Sequence, residues 1–213
     1  MNDDHHKARL IMALRSQGIR DQRVLEAMEA IPRDMFVPDT FHDKAWDDMA
    51  LPISCGQTIS QPYIVAYMTE QLEVEPASRV LEVGTGSGYQ AAILAKLARR
   101  VFTIERHRPL LEEARRRFQK LGLINIETRV GDGYRGWPEA APFDRIIVTA
   151  AAPKPPPELL EQLAEGGVMI IPVDSGPVYQ ELVKIRRTAE GFERERLLPV
   201  RFVPMLPGVA RKE

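Results

Sequence analysis

Three glycines at alternate positions separate a short apolar run from an amphipathic segment. Gly84, Gly86 and Gly88 follow the run Val80–Val83 and precede Tyr89. Glycines permit a sharp turn and a close ligand approach, and the N–H groups at the start of the next helix attract carboxylates or phosphates. The spacing is GxGxG, because Tyr89 occupies the third glycine position of a dinucleotide fingerprint. We therefore predict a cofactor-binding turn formed by Gly84, Thr85, Gly86, Ser87 and Gly88.

Acidic residues stand in or after each of the first three predicted strands. Glu105 lies twenty-one positions after Gly84 at a strand end, where its two oxygens can accept hydrogen bonds from a ribose diol. Asp132 precedes Gly133 and is placed to reach an adenine amino group, although Asp-Gly is also an ordinary turn pair. Glu82 points either to the ligand or to the neighbouring backbone. Because the motif GxxxxGK[ST] is missing, a phosphate ligand is disfavoured.

A cluster of amide and hydroxyl side chains lies just before a predicted helix. Gln57, Thr58, Ser60 and Gln61 precede Pro62, and together they can hydrogen-bond a carboxylate and adjacent peptide groups. A local alternative is that Thr58 and Gln61 form a capping box, or that Ser60 or Gln61 caps the helix that Pro62 opens. The capping interpretation explains one hydroxyl but leaves the rest of the cluster without a role.

Alternating apolar runs and amphipathic segments position these groups. Strands are predicted at 79–83, 101–104, 124–130, 143–149 and 168–172, and helices at 89–97, 110–121 and 158–163. Two helices over 7–31, with Asp21 as an N-cap, and one after Pro62 precede them, and 179–187 and 192–203 are predicted as antiparallel strands. Such alternation requires crossover connections. The predicted fold class is α/β: a doubly wound, mainly parallel sheet in an α/β/α sandwich, with an N-terminal helical addition and a β-rich tail.

The length and composition favour one domain without a metal. We predict a single domain over 1–213, divided into N-terminal helices and substrate loop (1–78), cofactor core (79–172) and C-terminal strands (173–213). The net charge of -1 gives no general attraction to nucleic acid or membrane, and no apolar run approaches a membrane span. Cys55, the single cysteine, is expected to be a buried or partly buried bystander. We predict a cytoplasmic, monomeric protein.

The motifs carry a resemblance on two levels. The glycine turn with its acidic partners, within residues 79–172, resembles the class I S-adenosylmethionine-dependent methyltransferases. Over residues 8–208 the chain is similar to the protein-L-isoaspartate O-methyltransferase family, through the motifs at 31–38, 56–62, 131–133, 136–138 and 198–204. Ser54 and Cys55 depart from the glycine and bulkier residue expected before Gly56.

The resemblance implies an activity and a set of site residues. It implies S-adenosyl-L-methionine as cofactor, S-adenosyl-L-homocysteine as product, and isoaspartyl peptides and proteins as substrates. It makes Ser60 the active-site residue and gives the region from Val200 to Pro204 a part in binding the peptide. The full set of predicted substrate-binding residues is Gln57, Thr58, Ile59, Gln61, Val200, Arg201, Phe202 and Val203.

A carboxylate acceptor also explains why no catalytic base is evident. With a reference pKa of about 4, it is ionised at pH 7, so that catalysis depends on placement and on exclusion of water. Ser60 is predicted to donate a hydrogen bond that orients it. The alternatives are methyl transfer to RNA, for which Arg115–Arg117 offers a patch, or to a small molecule. A nicotinamide-dependent oxidoreductase and a non-enzymatic binding module also remain open.

Overall fold

The computed structural model describes residues 3–211, so four terminal residues of the predicted domain lie outside the described range. The helices are α1 (Asp3–Ser16), α2 (Gln22–Ala30), α3 (Pro62–Leu72), α4 (Tyr89–Leu97), α5 (Arg108–Lys120) and α6 (Pro157–Gln162). The strands of the main sheet are β1 (Arg79–Val83), β2 (Arg100–Glu105), β3 (Ile126–Val130), β4 (Phe143–Val148), β5 (Leu163–Asp174), β6 (Gln180–Thr188) and β7 (Gly191–Val200). Among the described helices, none has the length and hydropathy needed to cross a membrane.

The strands form one sheet in the order β3-β2-β1-β4-β5-β6-β7. The pairs from β3 to β5 are parallel, whereas β6 is antiparallel to both its neighbours. The predicted doubly wound, mainly parallel sheet with an antiparallel edge is thereby confirmed. The strand order reverses between β1 and β4, and the carboxyl ends of strands at such a switch point form the crevice where ligands bind in these folds.

Alternate residues of the central strands point into two separate cores. Val80 and Val101 belong to the core that α1 to α5 cover, whereas Leu81 and Phe102 belong to the core on the opposite face, with Leu159 of α6. This division follows from the period of two along a strand. The apolar runs predicted as buried strands are therefore buried on both faces, as a parallel sheet requires.

Local signals located most elements, and their bounds moved where the pattern was weak. Asp21 caps α2 as predicted, accepting hydrogen bonds from the backbone N–H groups of Arg23 and Val24. Strand β5 begins at Leu163, five residues earlier than predicted, and pairs there with Phe143 across a register irregularity. The segment 164–167 contains Gly166 and Gly167 and lacks the apolar alternation that marks a strand.

The long connection before α3 is ordered. Two 3-10 turns, Arg33–Phe36 and Asp39–Lys44, lead to a short antiparallel pairing of Leu51–Pro52 with Thr58–Ile59. A third 3-10 turn, Ser54–Gly56, connects these two short strands. This small hairpin, residues 51–59, delivers the predicted polar cluster to the start of α3.

The capping interpretation of that cluster is wrong. Gln61 occupies the N-cap position of α3, yet no side-chain capping hydrogen bond forms there. The N–H of Tyr63 instead donates to Asp48 Oδ1 at 2.8 Å, so a residue fifteen positions away satisfies the helix start. The hydroxyl and amide groups of residues 57–61 therefore do not serve to cap α3.

Candidate functional site

A cavity of about 480 Å³ lies at the carboxyl ends of the central strands, within the size range of small-molecule sites. Its lining comes from the turn between β1 and α4, the chain that follows β2, β3 and β4, the segment before α3 with part of α3 itself, and the chain after β7. The sequence-predicted site residues that line it are Gln57, Thr58, Ile59, Ser60, Gln61, Gly84, Thr85, Gly86, Ser87, Glu105, Gly133, Val200, Arg201, Phe202 and Val203. Glu82, Gly88 and Asp132 lie outside this lining.

Two glycines of the turn are required for different reasons. Gly84 has φ +99°, and a Cβ there would lie 2.5 Å from Thr149 Oγ1 at the cavity wall. Gly88 has φ +91°, and a Cβ there would lie 2.8 Å from the ring of Phe118 in α5. Gly84 therefore lets the turn lie against Thr149, whereas Gly88 lets the start of α4 pack closely on α5.

Glu105 presents an almost fully buried carboxylate to the cavity. Its Oε2 accepts a hydrogen bond from the N–H of Gly86 at 2.8 Å, and its Oε1 accepts one from the N–H of His107 at 2.9 Å. Each carboxylate oxygen has a second lone pair for another donor. The carboxylate is thus fixed by the turn and can accept two hydroxyl donors, which is the pattern of a ribose diol.

Glu82 lies behind the turn. It is fully buried in β1, and its Oε1 accepts a hydrogen bond from Thr103 Oγ1 at 2.6 Å. Thr103 Oγ1 is in turn 2.6 Å from Thr85 Oγ1, which lines the cavity, and Glu82 Oε2 has no partner within residues 3–211. Burial raises the pKa of Glu82 to about 8, with a smaller contribution from Glu105. Direct contact of Glu82 with a cofactor stays a prediction.

Asp132 and Gly133 form the start of a short turn after β3. Asp132 Oδ1 accepts a hydrogen bond from the N–H of Tyr134 at 2.9 Å, so the aspartate caps a 3-10 turn. Gly133 lines the cavity, and a Cβ there would lie 2.4 Å from Val83 Cγ1. The turn alternative for Asp132 is therefore realised, and its contact with adenine stays a prediction.

The polar cluster, residues 57–61, forms a further wall of the cavity. Ser60 is half-buried, and its hydroxyl makes no hydrogen bond to another residue of the described range. Its carbonyl oxygen accepts a hydrogen bond from Arg33 Nη2 at 3.1 Å. Thr58 is exposed on the same wall, and Gln57 Nε2 donates to the carbonyl of Cys55. The wall thus offers hydroxyl and amide groups to a ligand.

The chain after β7 completes the cavity. β7 ends at Val200, so the strand predicted to reach 203 stops three residues earlier. The following segment crosses the end of β4, where Ala151 exchanges backbone hydrogen bonds with Val203 and Met205 at 2.8 and 2.7 Å. The side-chain amide of Gln180 pairs with both backbone groups of Phe202, at 2.7 and 3.1 Å. These contacts hold the predicted peptide-binding residues at the cavity rim.

Sequence reasoning missed several residues of the site. Thr149 follows β4, and its hydroxyl donates to the carbonyls of Val83 and Gly84 at 3.2 and 2.8 Å. A hydroxyl residue directly after an apolar strand was a usable signal for it. Arg33 is fully buried beneath the polar wall and gave no local signal. Cys55 is exposed, contrary to the expectation of burial, because the turn that contains it faces solvent.

The described residues contain no group of three or more His, Cys, Asp or Glu side chains that could hold a metal ion. The ionisable side chains on the cavity lining are those of Tyr89, Glu105, Arg106, His107 and Arg201. The arrangement is therefore suited to binding and orienting a ligand by hydrogen bonds.

Comparison with known proteins gives a consistent set of relatives. The family model for protein-L-isoaspartate(D-aspartate) O-methyltransferase matches residues 5–210. A protein-L-isoaspartate O-methyltransferase of Parvibaculum lavamentivorans is 60% identical over 211 residues, covering 98% of this chain and 95% of the relative. One of Rhodospirillum centenum is 59% identical over 211 residues, covering 99% and 96%.

Solved structures agree with these relatives. A protein-L-isoaspartate O-methyltransferase superposes with a TM-score of 0.85 at 29% identity, over 93% of this chain and 65% of that longer one. A structure from Plasmodium falciparum, described as a protein-L-isoaspartate O-methyltransferase in complex with S-adenosyl-L-homocysteine, has a TM-score of 0.83 at 28% identity, covering 94% and 98%.

Proposed function

This chain belongs to the protein-L-isoaspartate(D-aspartate) O-methyltransferase family, and we propose that its cavity transfers a methyl group to the free α-carboxylate of L-isoaspartyl residues in damaged peptides and proteins. The family uses S-adenosylmethionine. One observation carries the proposal. A single cavity joins a buried carboxylate beside a glycine turn, Glu105 with Gly86, to a wall of hydroxyl and amide groups around Ser60.

The residues that line the cavity fit S-adenosylmethionine. Glu105 can accept two ribose hydroxyls, and Gly84, Gly86 and Gly133 present backbone without side chains on the same cavity lining. Asp132 and Gly133 are assigned to the adenine, and the turn residues Thr85 and Ser87 to the polar groups of the amino-acid end. When bound, the cofactor supplies an electrophilic methyl group on a sulfonium sulfur.

The residues of this chain act by placement. An isoaspartyl carboxylate is ionised at neutral pH, so that no residue has to remove a proton from it. We assign to Ser60 a hydrogen bond to that carboxylate, which holds one oxygen about 3 Å from the methyl carbon and in line with the bond that breaks. Gln57, Thr58 and Gln61 are assigned to the peptide groups beside the carboxylate. Their hydrogen bonds fix the direction from which the acceptor approaches.

The segment after β7 is assigned to the rest of the substrate. Val200, Arg201, Phe202 and Val203 line the same cavity as the polar wall, and we assign them to the peptide chain of the substrate. Ile59 and Met68 add apolar lining that excludes water from the reacting atoms. An isoaspartyl unit carries one extra backbone methylene, so a cleft that hydrogen-bonds the flanking peptide distinguishes it from aspartyl by orientation.

The product accounts for repair. A methyl ester is a better electrophile than a carboxylate, so the neighbouring amide nitrogen closes a succinimide without further help from the protein. Hydrolysis of the succinimide returns part of the material to normal aspartyl. The proposal also includes a monomeric enzyme that acts in the cytoplasm, and the net charge of -1 gives it no general attraction to nucleic acid or membrane.

Methyl transfer from radiolabelled S-adenosylmethionine tests the activity. Two peptides of one sequence, differing only in isoaspartyl or aspartyl linkage, are compared with a third in which the isoaspartyl α-carboxylate is amidated. Label on the first peptide alone is expected. Equal label on the isoaspartyl and aspartyl peptides contradicts the repair function. No label on any peptide, with label on RNA or small-molecule acceptors, supports the alternative methyltransferase.

A further inference from the structure

Arg33 is a charged side chain with no exposed surface. It lies in the 3-10 turn after α2, and its relative exposure is 0%. Burial lowers the pKa of its guanidinium below the usual value, while Tyr89 and Asp48 oppose that effect. A buried charge costs stability unless its partners compensate, and Arg33 Nε and Nη1 have no hydrogen-bond partner within the described range. Its location therefore calls for a reason beyond packing.

The hydrogen bonds of Arg33 converge on the polar wall of the cavity. Its Nη2 donates to the carbonyl of Met49 and to the carbonyl of Ser60, each at 3.1 Å. Met49 and Ser60 flank the small hairpin, residues 51–59, at its two ends. A single guanidinium nitrogen thus joins both ends of the segment that carries the acceptor-binding groups.

A second contact connects Arg33 to the cofactor side. Its guanidinium carbon lies 5.0 Å from the ring centroid of Tyr89, the first residue of α4, which lines the cavity. Phe36 packs edge-on against the same ring at 5.5 Å. Because a cation over an aromatic face is attracted to it, the guanidinium plane is held relative to the helix that follows the glycine turn.

We infer that Arg33 is a positioning residue that orients Ser60 toward the methyl donor, an inference that rests on the proposed function. Its hydrogen bond to the Ser60 carbonyl fixes that peptide unit. Its contact with Tyr89 fixes the position of the same peptide unit relative to α4, the helix that follows the glycine turn. Asp48 holds the start of α3 next to it, through the N–H of Tyr63. Arg33 itself lies outside the cavity lining, so it acts through Ser60 and not on the substrate.

A double-mutant cycle tests the inference. Arg33→Met, Ser60→Ala and the double variant are compared with the wild-type protein for kcat and KM on an isoaspartyl peptide and for the Kd of S-adenosyl-L-homocysteine. Because Arg33 acts through Ser60, we expect Arg33→Met to lower kcat by up to about tenfold, the value of the hydrogen bond that Ser60 makes, with Kd changed less than about threefold. In the Ser60→Ala background the same change should lower kcat less than about threefold, because coupled residues are not additive.

Arg145 supplies a matched control. It is a buried arginine that donates to the carbonyls of Glu73 and Asp144, at 2.9 and 2.8 Å, away from the cavity. Arg145→Met should lower the melting temperature and leave kcat within about twofold of the wild type. A structural role for Arg33 predicts the same pattern for both arginines. A fall in kcat only with Arg33→Met supports positioning.

Three results overturn the inference while leaving the proposed function intact. The first is an additive cycle, with Arg33→Met lowering kcat equally with and without Ser60. The second is wild-type kcat in Arg33→Met.

A third result concerns folding. If Arg33→Met does not fold, Arg33→Lys, which retains the charge, is used to repeat the cycle. Failure of both variants to fold is the third, since Arg33 would then serve folding. Failure of the wild type to methylate the peptide would instead contradict the proposed function.

Discussion

The two sides of the cavity, which we assign to the cofactor and to the methyl acceptor, are built in different ways. The cofactor side is formed by the carboxyl ends of parallel strands, with Gly84 and Glu105 fixed by backbone hydrogen bonds of neighbouring strands. The acceptor side is formed by irregular segments, held by side chains that bond distant backbone groups, such as Arg33 to Ser60 and Gln180 to Phe202. The ends of paired strands form a rigid binding surface, because the backbone hydrogen bonds of the sheet fix their positions. The irregular side can vary its lining without altering the fold.

This difference predicts that substitutions on the cofactor side change the affinity for the cofactor, whereas those on the acceptor side change turnover. The same protein preparation can report both quantities, through the Kd of S-adenosyl-L-homocysteine and the kcat on an isoaspartyl peptide. A cofactor-side substitution that changes only kcat, or an acceptor-side substitution that changes only Kd, would contradict this division between the two sides.

Gly84→Ala should have the largest effect. An alanine at φ +99° is strained, and its Cβ would overlap Thr149 Oγ1. Strain and overlap together cost about 3 kcal/mol or more, which corresponds to a loss of affinity of roughly 100-fold if the turn moves to relieve them. Calorimetric titration with S-adenosyl-L-homocysteine measures it.

Gly18→Ala is the matched control for Gly84→Ala. Gly18 has φ +103°, and no heavy atom lies within 4 Å of the position that a Cβ would occupy there, so it shares the backbone strain but not the overlap. The substitution should destabilise the protein by about 1 kcal/mol and leave the affinity for S-adenosyl-L-homocysteine unchanged. Equal affinities for Gly84→Ala and the wild type would show that the turn does not shape the cofactor site.

Glu105→Gln should come next, with an affinity for S-adenosyl-L-homocysteine lowered about 30-fold. The change removes the charge and turns an amide NH₂ toward a backbone N–H, of Gly86 or His107, that now has no acceptor. Glu112→Gln, on the exposed face of α5, is the control and should bind normally. An unchanged Kd in Glu105→Gln would show that the Glu105 carboxylate does not bind the cofactor.

Ser60→Ala should lower kcat/KM on the isoaspartyl peptide about tenfold, the value of one hydrogen bond to a charged group. The Kd of S-adenosyl-L-homocysteine should stay within about twofold, because Ser60 lies on the acceptor side. Steady-state kinetics and titration give the two numbers. Wild-type kcat/KM, or a large loss of affinity, would contradict the division between the two sides.

The effect of Glu82→Gln on folding stability should depend on pH. It should be small at low pH and should grow as the pH rises. Burial raises the pKa of Glu82 from 4.5 to about 8, so the folded protein holds a proton that the unfolded chain has lost in that range. The stabilising contribution is complete below about pH 4.5 and is lost as the pH rises toward 8, by up to about 1.4 kcal/mol per pH unit.

Thermal unfolding between pH 5 and 8.5 checks the Glu82 prediction. Glu82→Gln has no titrating group at that position, so its melting temperature should gain on that of the wild type as the pH rises. Parallel melting curves at all pH values would contradict a raised pKa. The experiment probes the layer beneath the glycine turn, where Thr103 connects Glu82 to Thr85.

The sequence predicted the cofactor side better than the acceptor side. Apolar runs, the glycine spacing and Glu105 are local signals, and the parallel sheet assembles their ends at one edge. The same local signals failed at β5, where Gly166 and Gly167 hide the strand, and at the start of α3, where a capping box was one interpretation.

The acceptor side depends on contacts between residues far apart in the chain. Asp48 caps α3 from fifteen residues away, and Arg33 reaches Ser60 from twenty-seven residues away. No periodicity or propensity encodes such pairs. The resemblance to the family assigned Ser60 and the region from Val200 to Pro204 to the substrate, a prediction that stands, but the hydrogen bonds that hold these residues in place became visible only in the structure.

The most direct test of the proposed site is a crystal structure of the protein with S-adenosyl-L-homocysteine and an isoaspartyl peptide bound together. We expect the ribose hydroxyls within hydrogen-bond distance of Glu105 and the isoaspartyl carboxylate within about 3 Å of Ser60 Oγ. The peptide should lie between the polar wall and the segment after β7. A peptide bound elsewhere, or a cofactor that leaves Glu105 without contact, would contradict the proposed site.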